Sequence, residues 1–166
     1  MAAAKRRAKA RRATRRVRRK TPHGRPRVAA PNRHDAERRL LALAARLSSV
    51  AAESEPPTTP LRAALTDLLA AYGSDGAFAA ALIEARRAVR GDKRAALALA
   101  WAREQLRLAI EEVIAREAKA DRLRPSLPLD ALAWLVLVAA ESLVHDPPGE
   151  AGDRVETLLA LVGVMP

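Results

Sequence analysis

The charge of this chain is divided so unevenly that it separates a segment unable to build a core from one that can. Residues 1–33 contain fourteen Lys and Arg and no Asp or Glu, a charge of +14. Residues 34–166 contain the other sixteen Lys and Arg and all nineteen Asp and Glu, a charge of −3, and the two add to the +11 of the whole chain. Nothing inside the first segment neutralises its self-repulsion, so it is expected to be a disordered basic tail when free. Such a block calls for a polyanion, and nucleic acids and anionic membrane surfaces are the abundant ones.

The remainder, 34–166, has the size of one ordinary domain. The chain holds only two Trp, one Tyr and one Phe, so its core must come from Ala, Leu and Val. Ala and Leu are strong helix formers and β-branched residues are few, which predicts an all-α fold. There is no cysteine. Disulfides, thiolate zinc sites and cysteine nucleophiles are therefore excluded, and no metal or cofactor is expected. No apolar stretch follows the basic N-terminus, so it does not read as a signal peptide. The most apolar run, ALAWLVLVAAESLV at 131–144, falls short of the roughly 20 residues that span a bilayer. It is expected to be a helix buried in protein, and no membrane partner is expected.

Prolines 22, 26 and 31 break any helix across 21–33. Beyond them the spacing predicts about six helices. The first, about Asp35–Glu53, carries one stripe of Leu40, Leu43, Ala44, Leu47, Val50 and Ala51. The second, about Pro60–Tyr72, has Thr59 suited to its N-cap, Pro60 at the first helical position and Gly73 at the C-terminal end. Its inward face is Leu61, Leu65, Leu68, Leu69 and Tyr72. The third, about Asp75–Arg90, is capped by Ser74, ends at Gly91 and turns Phe78, Leu82 and Val89 inward. The fourth and longest, about Asp92–Ala120, is expected to turn Leu97, Trp101, Leu106, Ile110, Val113 and Ile114 inward and the run EEVIAREAK outward. A fifth, about Leu129–His145, is apolar nearly all round, and a sixth, about Glu150–Val164, has a wide apolar face.

Two consecutive helices with more apolar surface than a small bundle can hide predict a two-fold homodimer. Its interface is expected at Leu132, Leu135, Val136, Leu143, Leu158, Leu159 and Val162. The alternative is that one of these helices is the centre of the monomer.

From LIEARRAVRGDKRAAL (82–97), through IAREAKADRLRPSLPLDALAWLVLVAAESLV (114–144), to RVETLLALVG (154–163), the helical part resembles the C-terminal regulatory domain of the TetR family of transcriptional repressors. The resemblance covers roughly 36–164 and lies in helix order, length and polarity. It implies a regulator whose last two helices form a dimeric four-helix bundle. It also implies a ligand cavity inside helices two to five, with Tyr72, Phe78, Trp101 and Trp134 as its large lining residues and Glu141 as a polar contact, which would admit a small-molecule effector; the alternative is that the four aromatics fill the core. The family's three-helix DNA-binding head, with its helix-turn-helix, has no counterpart in 1–33. Either the basic segment stands in its place, or the sequence starts out of frame with a true head.

Within that segment, Pro22-His23-Gly24-Arg25-Pro26 resembles the Pro-Arg-Gly-Arg-Pro core of an AT-hook, with Arg27 following. Glycine lets the backbone sit deep in the narrow minor groove of A·T-rich DNA, arginines follow the negative potential of its floor, and prolines keep the strand extended. His23 stands where the first arginine would be and suits that potential less well. The other cations, Lys5, Arg6, Arg7, Lys9, Arg11, Arg12, Arg15, Arg16, Arg18, Arg19 and Lys20, need no motif to bind phosphates. With no aromatic in 1–33, stacking on single strands or RNA loops has no support, which favours duplex DNA.

Ingredients for catalysis are thin. His145-Asp146 reads better as a helix-end pair beside the C-terminal dipole than as an acid/base couple. Glu111, Glu112 and Glu117 read as a solvated face paired with Arg107, Arg116 and Lys119. Glu141, in an otherwise apolar helix, needs a partner if buried. It either reaches solvent or an arginine at the helix end, or serves a ligand cavity. The expected protein is thus no enzyme. It is a cytoplasmic, nucleoid-associated homodimer that binds duplex DNA through its tail, with docking on RNA as the other reading.

Overall fold

In a computed structural model of the chain, residues 33–52, 59–73, 76–143 and 151–162 are described. The chain divides into two units, Met1–Ala30 and Pro31–Pro166, and the described residues belong to the second. They form six helices and no β-strand: α1 Arg33–Ala52, α2 Pro60–Gly73, α3 Gly76–Ala88, α4 Lys93–Lys119, α5 Leu129–Ser142 and α6 Ala151–Val162. The all-α expectation holds, and each boundary falls near its expected place. Ser74, His145 and Asp146 lie outside the described residues.

Local chemistry explains the ends of the long helix. Asp92 is the N-cap of α4, and its carboxylate accepts from the Ala95 amide at 3.0 Å, satisfying a donor with no partner inside the helix. Gly91, just before it, takes φ +93°, a conformation that costs glycine nothing. At the other end Asp121 is left-handed, φ 55°. The chain reverses there, with the Asp121 and Arg122 amides donating to the Ala118 and Glu117 carbonyls at 3.1 Å each.

The helix α4 is the spine. It packs along α1 and against α5, while α6 packs on α2. Leu40, Leu47, Leu61, Leu65, Leu68, Leu69, Leu106, Val113, Ile114, Leu132 and Leu137 form the fully buried core. Arg62 of α2 donates from both terminal guanidinium nitrogens, Nη1 and Nη2, to the Glu156 carboxylate of α6, which ties the last helix to the second.

Two expectations are corrected. Leu97 and Trp101 do not face inward; they are 72% and 53% exposed. α4 carries large apolar residues on two faces, and the one that meets α1 and α5 is the Ala102, Leu106, Ala109, Ile110, Val113, Ile114 face. The second correction concerns the dimer interface. Leu132, Val136, Leu143, Leu158, Leu159 and Val162 are all buried within their own chain, and Leu135 is half-buried. α5 is covered by α4 and α2, and α6 by α2, so the six buried side chains face their own core and only Leu135 keeps surface for a second copy.

Candidate functional site

The five side chains expected around one cavity do not come together: the four aromatics separate into two pairs, and Glu141 is held by arginines. Tyr72 and Phe78 are buried, their rings edge to face with centroids 5.0 Å apart. Trp101 and Trp134 are 53% and 49% exposed, so they line no internal cavity with the other two. Both stand on outward faces that their apolar character alone does not distinguish from inward ones.

Glu141 occupies the centre of a charge cluster that joins three helices. Arg103 of α4 donates from Nε to Oε1 at 2.8 Å and from Nη2 to Oε2 at 3.3 Å. Arg86 of α3 reaches the same Oε1 with Nη2 at 3.1 Å. The carboxylate is nearly buried while the two guanidiniums keep one edge toward solvent. The hydrogen bonds it donates to Glu141 hold the Arg103 guanidinium above its ordinary pKa, against the opposing effect of burial. The arginine partner is one of the two alternatives the sequence left open. It comes from neighbouring helices and not from the helix end.

Tyr72 lies within the field of this cluster. Its hydroxyl is buried and has no hydrogen-bond partner among the described residues. Burial raises its pKa, with the Glu141 charge adding to the effect and Arg86 and Arg103 opposing it. The phenol therefore stays neutral well into the alkaline range. Chemically, the cluster offers two cations, one anion and one unsatisfied donor.

Trp134 borders an open depression of about 480 Å³ between α4 and α5, with Glu104, Arg107, Asp130 and Ala131, and a second cavity lies where α1 begins and α3 gives way to α4. This second cavity, partly open, measures about 420 Å³ over a floor that includes Ala85, Ala88, Ala98 and Leu99, with His34, Glu37, Asp92 and Arg94 at its polar rim. None of the five expected pocket residues lines it.

A second ion pair closes the end of α4. Glu117 is 3% exposed and accepts from Arg122 Nη2 at 2.8 Å and Nε at 3.0 Å. The expectation of a solvated Glu117 is thus corrected. It falls on the inner side of the last turn, and the reversing chain brings Arg122 over it. Glu111 does pair with Arg107, Nη1 to Oε2 at 2.7 Å, while Glu112 accepts from Ser48 Oγ of α1 at 3.1 Å. Sequence reasoning missed Arg86, Arg103 and Arg122 as partners. Only Arg122, five residues from Glu117, was within reach of a local rule.

The expected nucleic-acid contacts, from Lys5 through Lys20 and Gly24, Arg25 and Arg27, lie outside the described residues. Among the described residues no group of three His, Asp or Glu could hold a metal ion, and no helix is long and apolar enough to cross a membrane. Comparison with known proteins finds no match for the chain among family models, curated proteins or solved structures.

Proposed function

We propose that the chain is a DNA-binding regulator or DNA-organising protein of TetR-like type, which grips duplex DNA through residues 1–33 and self-associates through its helical unit. The observation that carries this reading is the charge division: +14 without one acidic residue in 1–33, against −3 in the rest. If roughly six to ten of those cations meet phosphates, affinity falls about 10³–10⁵-fold between 50 and 200 mM salt. Two basic segments held by one dimer raise each other's local concentration on a duplex, so two weak contacts add up to a firm one. The cavity at the start of α1, directly after the basic segment in sequence, is the place for a small effector.

The test is competition. Full-length protein and a full-length variant with the Lys and Arg of 5–27 replaced by Gln are titrated with A·T-rich duplex DNA and with structured RNA at matched salt. The wild type is expected to prefer the duplex and the variant to lose it. Equal binding by the variant, or tighter binding of RNA by the wild type, would sink the duplex reading.

A further inference from the structure

The outer face of α4 carries large apolar side chains that the other described residues leave uncovered. It runs Lys93, Leu97, Trp101, Glu104, Leu108, Glu112, all exposed. The intervals are four, four, three, four and four residues, which keeps all six on one side of a helix of 3.6 residues per turn. Trp134 and Val138 of α5, 49% and 37% exposed, extend the surface sideways. Glu104, Arg107, Asp130, Ala131 and Trp134 line one depression between the two helices, so the two apolar stripes are neighbours.

We propose that this face is where a second copy of the chain docks, with the two α4 helices antiparallel across a two-fold axis that passes between Trp101 and Glu104. The proposal locates the self-association that the functional reading invokes, and it rests on that part of it.

The series has the same spacing read in either direction, which is what an isologous contact requires. Antiparallel pairing sets Leu97 against the second copy's Leu108. It also sets Lys93 against Glu112 and, one position inward, Arg94 against Glu111. The basic start of the series thus meets its acidic finish in the copy at both edges, around a middle that is apolar except for Glu104. Like charges would meet in the parallel arrangement, which is disfavoured.

The charge inside the apolar stretch, Glu104, already has a partner within its own chain, Arg107, which it shares with Glu111. Arg107 donates to Glu104 from Nε and Nη2 at 2.9 and 2.7 Å, and that contact draws the Glu104 carboxyl below its ordinary pKa. Covering a pre-formed pair costs less desolvation than covering a lone carboxylate. It also presents a guanidinium to the Trp101 ring of the second copy, a favourable contact for an aromatic face. An indole at the centre with a charged rim has the layout of a binding hot spot.

Sedimentation equilibrium of the full-length chain tests the proposal, with circular dichroism confirming that each variant is folded. Wild type is expected to be dimeric at micromolar concentration. W101E, at a half-exposed position, should weaken the dimer about thirtyfold or more, the loss typical of an aromatic hot spot. K93E and E112K should each weaken it several-fold, and the K93E/E112K double variant should recover most of the loss because the opposed charges exchange places. A monomeric wild type overturns the proposal together with the self-association in the functional reading. A wild-type dimer indifferent to W101E overturns this face alone. Additive losses in the double variant overturn the antiparallel register. Duplex binding by W101E at low salt, measured in parallel, reads the basic segment separately and so keeps its failure distinct from that of the dimer.

Discussion

The helical unit and residues 1–33 both abound in arginine, and they use it in opposite ways. In the helical unit arginines meet acids of the same fold. Arg46 of α1 reaches Asp67 of α2 at 2.8 Å, Arg62 clasps Glu156 across α2 and α6, Arg86 and Arg103 share Glu141, and Arg122 covers Glu117. Positive charge there fastens helices to one another. In 1–33 the sequence supplies no acid at all, so no carboxylate of that segment can answer its charge, and the proposed function directs it at a partner. The difference teaches that a high arginine content does not by itself announce nucleic-acid binding; the local supply of carboxylates decides.

Removing acids from the helical unit should break this contrast by stranding cations. The largest loss is expected for Glu141→Ala, which leaves Arg86 and Arg103 facing each other without their shared anion. A fully buried pair broken from one side costs about 3–5 kcal/mol. Both guanidiniums here keep access to water, so about 1–3 kcal/mol is expected in urea unfolding at neutral pH.

Tyr72→Phe should have a smaller effect of opposite sign. The lost hydroxyl has no partner among the described residues, so its removal relieves a desolvation penalty and stabilises by up to about 1 kcal/mol. The same variant changes the alkaline limb. A phenol ordinarily ionises near pH 10, and burial raises the value for folded Tyr72. The preference for the neutral form gives a stability that is whole below about pH 10 and is lost as pH rises above it, because the unfolded phenol then ionises more readily than the folded one. Thermal melts between pH 9 and 11 should therefore fall less steeply for Tyr72→Phe than for wild type. The smallest change is expected for Asp67→Asn. Its partner Arg46 is well exposed, and breaking such a surface pair costs about 0–1 kcal/mol.

Much of the fold was legible in the chain because its punctuation is local. Pro60, Gly91 and Asp92 act on their own neighbours, so the helix boundaries could be read without knowing the packing. The faces were harder. α4 bears Leu97, Trp101 and Leu108 on one side and Leu106, Ile110 and Val113 on another, and nothing local says which of the two meets α1. The apolar excess of α5 and α6 was real as composition. What covers it depends on how the chain packs α4 on α5 and brings the sequence-distant α2 against both α5 and α6, so six residues expected at a dimer interface lie in the monomer core. Glu141 was recognisable as a carboxylate in need of a partner. Its arginines come from α3 and α4, and only the tertiary fold brings them there.

The central claim is that the charge of residues 1–33 is directed at phosphates. The slope of log affinity against log salt for duplex DNA tests it most directly. Six to ten phosphate contacts give a slope of about −5 to −9 for the full chain, and replacing the Lys and Arg of 5–27 by Gln should flatten it to near zero. The same steep slope in the substituted chain would place the DNA contacts in the helical unit and contradict the account.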